Sequence, residues 1–178
     1  CNILSPGFNK VDHFISILGS HRGELTGSVF QNCFPKSVEN QPVTIDLDLE
    51  SKLGEVIQLG IESRLIQTAT NVGRGGLSTA IVENLIDVPD EIGARIHLSR
   101  KLLPEALLFG ETQGLVLISL KEEDIMEFER ICMNIGVPCT TIGRVTNISQ
   151  FIINDLIDIS RRKLEDAYFN SLHRIMVK

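Results

Sequence analysis

The stretch Asn71-Val-Gly-Arg-Gly-Gly-Leu77 carries the residue types that most directly suggest chemistry in this sequence. Its closely spaced glycines, between a predicted strand and a predicted helix, allow a tight turn with positive φ. The amides at the start of the helix would be unpaired and would lie at the positive end of the helix dipole. Such a turn could bind a phosphate through Arg74, Gly75 and Gly76. The alternative is a tight β–α connection without a ligand, because neither a Walker A nor a GxGxxG pattern is present.

A second polar group lies in the stretch Leu107-Leu-Phe-Gly-Glu-Thr-Gln-Gly114, just before a strongly apolar segment. Glu111, Thr112 and Gln113 are consecutive polar side chains beside glycines. At the mouth of a sheet they could bind the hydroxyls or amides of a ligand, since functional residues are often found on loops held by a rigid scaffold. The alternative interpretation is a polar loop that only precedes a strand.

The remaining polar residues do not define a catalytic or metal site. The four histidines are far apart and lack metal-ligand spacing, and no nucleophile–base arrangement can be placed. Asp46, Asp48 and Glu50 could hold Mg²⁺, but acids at this position are typical of a helix start. We therefore assign no catalytic residue and no metal ligand to this chain.

The four cysteines, Cys1, Cys33, Cys132 and Cys139, show no CxxC spacing. This scatter predicts free, buried thiols in a reducing compartment and therefore a cytoplasmic protein, although a disulfide or a metal role stays open.

The elements that must position the two polar groups alternate between strands and helices. Apolar residues at helical spacing predict helices over about 49–63, from 77, and over 121–136. Short apolar runs predict strands at 14–18, 65–69, 92–98, 115–120 and 137–145, and a hairpin at 151–159. This order indicates an α+β fold with a mixed sheet and helices packed on it. It is partly ferredoxin-like, because 115–145 is predicted to form a β-α-β unit.

Length and charge exclude several classes of protein. The chain has 178 residues with 17 basic and 23 acidic side chains, a net charge of −6, and no Trp. This balance disfavours a nucleic-acid partner, and the apolar runs are too short to cross a membrane. Residues 1–48 are loop-rich and are predicted to be a lead-in segment before a domain at 49–178. Because the chain starts at Cys1 without a signal pattern, we expect a fragment or a processed product of a longer protein.

Taken in order, these motifs resemble one family. The Gly-Gly-Leu77 turn, Glu83-Asn84, Gly93-Ala94, Leu108-Phe-Gly-Glu-Thr-Gln-Gly114, Gly136-Val-Pro138 and Ile142-Gly-Arg-Val145 are similar to the C-terminal domain of the aminoimidazole ribonucleotide (AIR) synthetase superfamily. Within it, the synthetase subunit of phosphoribosylformylglycinamidine synthase is the closest branch. Leu18-Gly19 and Glu24-Leu-x-Gly-Ser28 resemble its lead-in segment.

The resemblance implies an ATP-dependent C–N ligase of purine biosynthesis, which converts formylglycinamide ribonucleotide to the amidine. ATP and Mg²⁺ would be bound mainly by an N-terminal ATP-binding domain of the same chain, and ammonia would come from a glutaminase subunit or domain. A homodimer is possible. The substrate ribonucleotide would meet Gly75, Gly76, Glu111, Thr112 and Gln113. The 178 residues would supply substrate contacts and scaffold and would be inactive alone.

The sequence departs from this family's pattern at the turn. The usual His-Asp pair is Thr70-Asn71, the usual Ser and the next polar residue are Gly73 and Arg74, and the Arg often found after Gln-Gly is Leu115. A degenerate copy of the domain therefore stays open. So do a non-catalytic ferredoxin-like sensing or assembly module, and another superfamily member such as the cyclo-ligase, selenophosphate synthetase or thiamine-phosphate kinase.

Overall fold

The computed structural model describes residues 4–38, 41–86 and 88–176. The described residues form one seven-stranded mixed sheet and six α-helices. The strands are β1 (Phe14–Leu18), β2 (Ile66–Asn71), β3 (Gly93–Ile96), β4 (Val116–Leu120), β5 (Cys139–Thr146), β6 (Gln150–Ile153) and β7 (Ile157–Ser160). The helices are α1 (Val29–Cys33), α2 (Leu47–Glu62), α3 (Gly76–Glu83), α4 (Pro104–Phe109), α5 (Ile125–Ile135) and α6 (Arg161–Met176).

A ferredoxin-like unit forms one half of the sheet. The strand order is β2-β4-β1-β5-β3-β6-β7, and the pairs β2–β4, β4–β1 and β1–β5 are all antiparallel. The segments β1-α2-β2 and β4-α5-β5 are thus two split β-α-β units that interleave. This arrangement confirms the predicted α+β fold with a partly ferredoxin-like mixed sheet.

The other half of the sheet extends this unit. β3 pairs antiparallel with β5 and parallel with β6, and β7 pairs antiparallel with β6. The β6–β7 hairpin turns at Asn154, which has a φ of +48° and whose side chain binds the backbone of Leu98 at both N and O. The predicted hairpin is therefore confirmed. Through Asn154, the turn of this hairpin is also hydrogen-bonded to Leu98, which lies just after β3.

The hydrophobic core lies on both faces of the sheet. On the first face, Leu77 and Ile81 of α3 and Leu107 of α4 are buried in one cluster with Ile15 of β1. On the second face, α2 and α5 cover only the ferredoxin-like half, where Phe128 is fully buried. The second cluster contains no buried residue of β3, β6 or β7. Among the described residues, no helix contributes to a core on that part of the second face.

Local sequence signals explain two helix ends. The Asp46 side chain accepts a hydrogen bond from the Leu49 amide at 3.0 Å and caps α2, while Asp48 pairs with Lys52 at 2.5 Å. These two acidic residues therefore stabilise the first turn of α2. The helix α5 ends at Gly136, whose φ of +85° forms a left-handed cap.

The segment before residue 48 contributes a central strand to the sheet. β1 lies between β4 and β5, and Gly19 at its end has a φ of +94°. A Cβ on Gly19 would lie 1.9 Å from the Gly114 carbonyl oxygen, so only glycine allows this approach. The boundary proposed at residue 48 concerns a longer protein and stays a prediction; within this fold the first segment and the sheet are one unit.

The described cysteines, Cys33, Cys132 and Cys139, are free. Cys33 is exposed rather than buried as predicted, because it ends the short helix α1, in which no residue is buried. Cys1 lies outside the described residues. Among the helices in the described ranges, none combines the length and the apolar character that a membrane crossing requires.

Candidate functional site

The glycine-rich turn leads directly from β2 into α3, as the sequence predicts. Gly75 and Gly76 have φ values of +82° and +71°. A Cβ on Gly76 would lie 2.5 Å from the Phe109 carbonyl carbon, so the start of α3 packs against the backbone at the end of α4. The Ser78 hydroxyl strengthens this contact by donating to the Leu108 carbonyl at 2.9 Å. Glycine is needed at position 76 both for its conformation and for the close approach of two helices.

The amides of Gly75 and Gly76 are hydrogen-bonded within the protein, whereas the glycine-rich sequence predicts unpaired amides. The Gly75 N–H donates to the Glu111 carboxylate at 2.9 Å, and the Gly76 N–H donates to the Gly73 carbonyl at 3.0 Å. The same Glu111 oxygen accepts from the Val29 amide at 2.7 Å. A side chain of the protein thus takes the position that an anion would take at this turn.

Thr112 connects the second motif to the lead-in segment. Its side chain is buried, and its hydroxyl oxygen accepts hydrogen bonds from the Arg22 and Gly23 amides, both at 3.2 Å. The Glu111 amide donates to the Glu24 carbonyl at 2.8 Å. The 110–114 loop is therefore fastened along its length to residues 22–24.

His21 lies beneath this loop in one defined tautomer. Its Nε2 is 2.8 Å from the Leu107 carbonyl oxygen and must donate to it, which leaves Nδ1 to accept from the Gly23 amide at 3.3 Å. Burial lowers the pKa of His21, an effect that the Leu107 carbonyl and the Glu24 carboxylate oppose. The ring is therefore held neutral as a structural link between the lead-in segment and α4.

Arg22 and Glu24 form a polar bridge at the edge of a cleft. The Arg22 guanidinium contacts the Glu24 carboxylate at 3.1 Å and the Thr44 carbonyl at 2.8 Å, and Glu24 also accepts from the Thr44 amide at 3.0 Å. A cleft of about 610 Å³ lies between this segment and α4, with Lys101 and Gln41 at its rim. Its size is that of a small-molecule site.

The six predicted site residues differ in how exposed they are to solvent. Arg74 and Gln113 have exposed side chains, Gly75 and Glu111 are half-buried, and Gly76 and Thr112 are buried. The Glu111–Gly75 hydrogen bond joins the two motifs. Reasoning from sequence missed His21 and Arg22, whose separation from both motifs gave no spacing signal. It singled out Glu24 only through the family resemblance.

The positions that depart from the family's pattern have structural partners here. Thr70 of β2 and Asn84, just after α3, hydrogen-bond to each other through their side chains, with Asn84 Nδ2 2.9 Å from Thr70 Oγ1. Leu115 is fully buried, and its carbonyl accepts from the Val72 amide at 2.9 Å. Arg74, in contrast, is an exposed cation beside the turn.

The donor set does not fit a divalent cation. In the described part of the chain, no three His, Cys, Asp or Glu side chains are grouped so that they could hold a metal ion. The glycine-rich turn also lacks the Lys-Ser or Lys-Thr that a Walker A loop would place at the phosphates of ATP. The described residues therefore do not provide a site for Mg²⁺ or for the phosphates of ATP.

Comparison with known proteins identifies related sequences and folds. Residues 13–154 match the family model for the AIR synthase related protein, C-terminal domain. The chain is 31% identical over 169 residues to the phosphoribosylformylglycinamidine synthase subunit PurL of Caldanaerobacter subterraneus subsp. tengcongensis, which covers 93% of this chain and 23% of that protein. The chain thus spans about a quarter of the length of such relatives.

Solved structures share the fold. T. maritima PurL complexed with ATP superposes with a TM-score of 0.71 at 16% identity, covering 92% of this chain and 27% of that one. T. maritima PurL complexed with FGAR gives 0.69 at 16% identity, over 91% and 29% of the two chains. Thiamine-monophosphate kinase from Stenotrophomonas maltophilia K279a gives a lower TM-score of 0.58 at 16% identity, over 86% and 53%.

Proposed function

The chain belongs to the family of AIR synthase related protein C-terminal domains, and on this premise we propose that it is the C-terminal domain of a phosphoribosylformylglycinamidine synthase. The longer protein would convert formylglycinamide ribonucleotide to the amidine in purine biosynthesis, using ATP and glutamine. Relatives named for this activity, which are 31% identical over nearly the whole chain, support the proposal.

The observation that carries the proposal is the contact of Glu111 with Gly75. It brings the Gly-Glu-Thr-Gln loop and the Gly-Gly turn to one place, and the Val29 amide joins the lead-in segment to them. Two of the motifs that carry the family resemblance therefore lie together with the lead-in segment, and this supports their assignment to one site. A module that only senses a ligand through a ferredoxin-like sheet does not require this contact between Glu111 and Gly75.

Within this site we assign two kinds of role. Arg74 and Gln113, whose side chains are exposed, would contact the ribonucleotide, with the Arg74 guanidinium suited to its phosphate. Gly75, Gly76, Glu111 and Thr112 would position them, because their polar groups or backbone are already engaged within the protein. Arg74 thus supplies the phosphate contact that the engaged amides of Gly75 and Gly76 do not.

The rest of the machinery would lie outside these residues. ATP, Mg²⁺ and the transfer of nitrogen are assigned to an N-terminal ATP-binding domain of the same chain and to a glutaminase subunit or domain, with a homodimer as a possible assembly. The 178 residues alone would be inactive. Free thiols at Cys33, Cys132 and Cys139 support a reducing, cytoplasmic location.

The test uses the longer protein that contains this chain, assayed for ATP- and glutamine-dependent formation of the amidine. Arg74→Ala and Gln113→Ala should raise the KM for formylglycinamide ribonucleotide, by roughly tenfold or more for Arg74 because a charge-assisted contact is lost. Arg100→Ala, an exposed arginine paired with Asp155, is the matched control and should leave KM unchanged. An unchanged KM in both site variants, or turnover by the 178 residues alone, would overturn the proposal.

A further inference from the structure

Two arginines lie directly opposite each other on the second face of the sheet, where β5, the last strand of the ferredoxin-like half, meets β3. Arg95 of β3 pairs in register with Arg144 of β5, so their side chains leave the same face of the sheet. Both are exposed. This is the second face of the sheet: Arg95 lies beyond the half that α2 and α5 cover, and Arg144 lies on the outermost strand of that half. The glycine-rich turn, in contrast, leads into α3 on the first face.

Neither arginine has an acidic partner among the residues that the structure describes. The Arg144 guanidinium carbon lies 5.4 Å from the ring centroid of Phe14, the next residue in the same cross-strand row. In the other direction the row continues from Arg95 to Ile152 and only then to Asp158, with no ion pair between Arg95 and Asp158. Like charges directly opposite each other on a sheet are destabilising, and here no neighbouring carboxylate neutralises them.

The same face offers a concave surface with further polar groups. A cleft of about 530 Å³ is lined by Phe14, Arg95, His97, Thr141, Arg144 and Thr146, among others. Two guanidinium groups present planar sets of N–H donors that match a phosphate, and the His97 imidazole can add another. The Thr141 and Thr146 hydroxyls are already hydrogen-bonded to Ser16 and to the Ile148 carbonyl. The cleft is larger than a phosphate ion needs and falls in the size range of small-molecule sites.

We infer that the cleft between β1, β5 and β3 binds the phosphate group of a small phosphorylated molecule, with Arg95 and Arg144 sharing the anion. The ligand removes the repulsion between the two cations, and the non-phosphate part of the molecule fills the remaining volume. The site is distinct from the substrate site proposed above, because it lies on the opposite face of the sheet.

Thermal unfolding and titration calorimetry of the protein test this inference. Inorganic phosphate and glycerol 3-phosphate are added, with glycerol and sodium chloride at matched ionic strength as controls. The variants are Arg95→Gln, Arg144→Gln and their combination, and Arg162→Gln, which removes an exposed arginine of α6, is the matched control. Circular dichroism without phosphate checks that all variants fold.

Both phosphate probes should raise the Tm of the wild-type protein and of Arg162→Gln, and chloride and glycerol should not. Binding should be at least tenfold weaker in each single variant and absent in the double variant. Tighter binding of glycerol 3-phosphate than of phosphate supports the assignment to a phosphorylated molecule. Equal binding contradicts that assignment and identifies free phosphate as the ligand. No binding to the wild type, or equal binding to the double variant, would overturn the inference.

Discussion

The carboxylate of Glu111 accepts a hydrogen bond of 2.9 Å from the backbone N–H of Gly75, a residue 36 positions earlier in the chain. The same oxygen accepts from the Val29 amide at 2.7 Å. One side chain therefore holds together the glycine-rich turn, the loop before β4 and the start of α1. This explains physically how three short segments, far apart in sequence, are held in contact.

Replacing Glu111 should separate these segments. We expect Glu111→Ala to lower the free energy of unfolding by about 1–3 kcal/mol, because two amides lose an ionised acceptor. Glu111→Gln should cost less, since it keeps one acceptor oxygen. Urea denaturation measures both effects. Glu129→Ala, an exposed acid on α5, is the control and should stay within about 0.5 kcal/mol of the wild type; an equal loss there would contradict the assigned role.

Gly76 should tolerate no side chain. Gly76→Ala would add a Cβ 2.5 Å from the Phe109 carbonyl carbon at a φ of +71°. We expect a loss of about 2–4 kcal/mol from backbone strain and overpacking. Gly54→Ala is the matched control, because an added Cβ meets nothing within 4 Å on that exposed part of α2. It should raise stability by about 0.5–1 kcal/mol. Similar Tm values for the two variants would refute this explanation.

Arg161, at the start of α6, should be irreplaceable by lysine. Its side chain is only 3% exposed and donates to the Val88, Pro89 and Ile92 carbonyls and to Glu165. Arg161→Lys keeps the charge but removes the planar set of donors. We expect a loss of about 1.5–3 kcal/mol in chemical denaturation. Arg162→Lys, at the exposed neighbouring position, should have no measurable effect, and a wild-type Tm for Arg161→Lys would argue against this role.

Stability should decrease in mild acid because of His21. Burial lowers the pKa of His21 from its usual value of 6.5, so the unfolded chain binds its proton at a higher pH than the folded protein does. The contribution to stability is therefore complete above pH 6.5 and is lost as the pH falls from 6.5 through the folded pKa. His21→Gln should flatten the plot of unfolding free energy against pH in this window.

Part of this pH dependence should remain in the single variant. The pKa of His13 is also lowered, first by burial and then by Lys121 and Lys10, so it titrates in the same direction. The double variant His13→Gln, His21→Gln should remove most of the remaining slope. If His21→Gln retains the full wild-type slope, the neutral, buried state assigned to His21 is wrong.

Sequence periodicity was sufficient to predict most of the fold. The apolar run Phe14–Leu18, the amphipathic stretch before Gly136 and the Asn154 turn all became the expected elements, because each depends on local patterns of burial or positive φ. The strand order was not predictable from such patterns. Whether β1 pairs with β4, β5 or both depends on contacts between residues far apart in the chain.

The candidate site was predictable only in outline. The glycines indicated a turn, but the acceptor of the Gly75 amide is Glu111, which belongs to the other motif. Sequence spacing does not show that a side chain of one motif accepts the hydrogen bond of an amide in the other motif. For the same reason, the sequence does not predict that Arg95 and Arg144 lie opposite each other, because this depends on the register of β3 against β5.

The central place of β1 determines when this sheet can form. Phe14 pairs with Leu120 on one side and with Arg144 on the other, so β1 has no partner strand until most of the chain has been synthesised. Closing such long loops carries an entropic cost before any contact offsets it, and domains rich in distant contacts fold slowly. On the ribosome, the apolar residues of β1 therefore have no native partner strand until β4 and then β5 emerge, and such unpaired apolar strands favour aggregation.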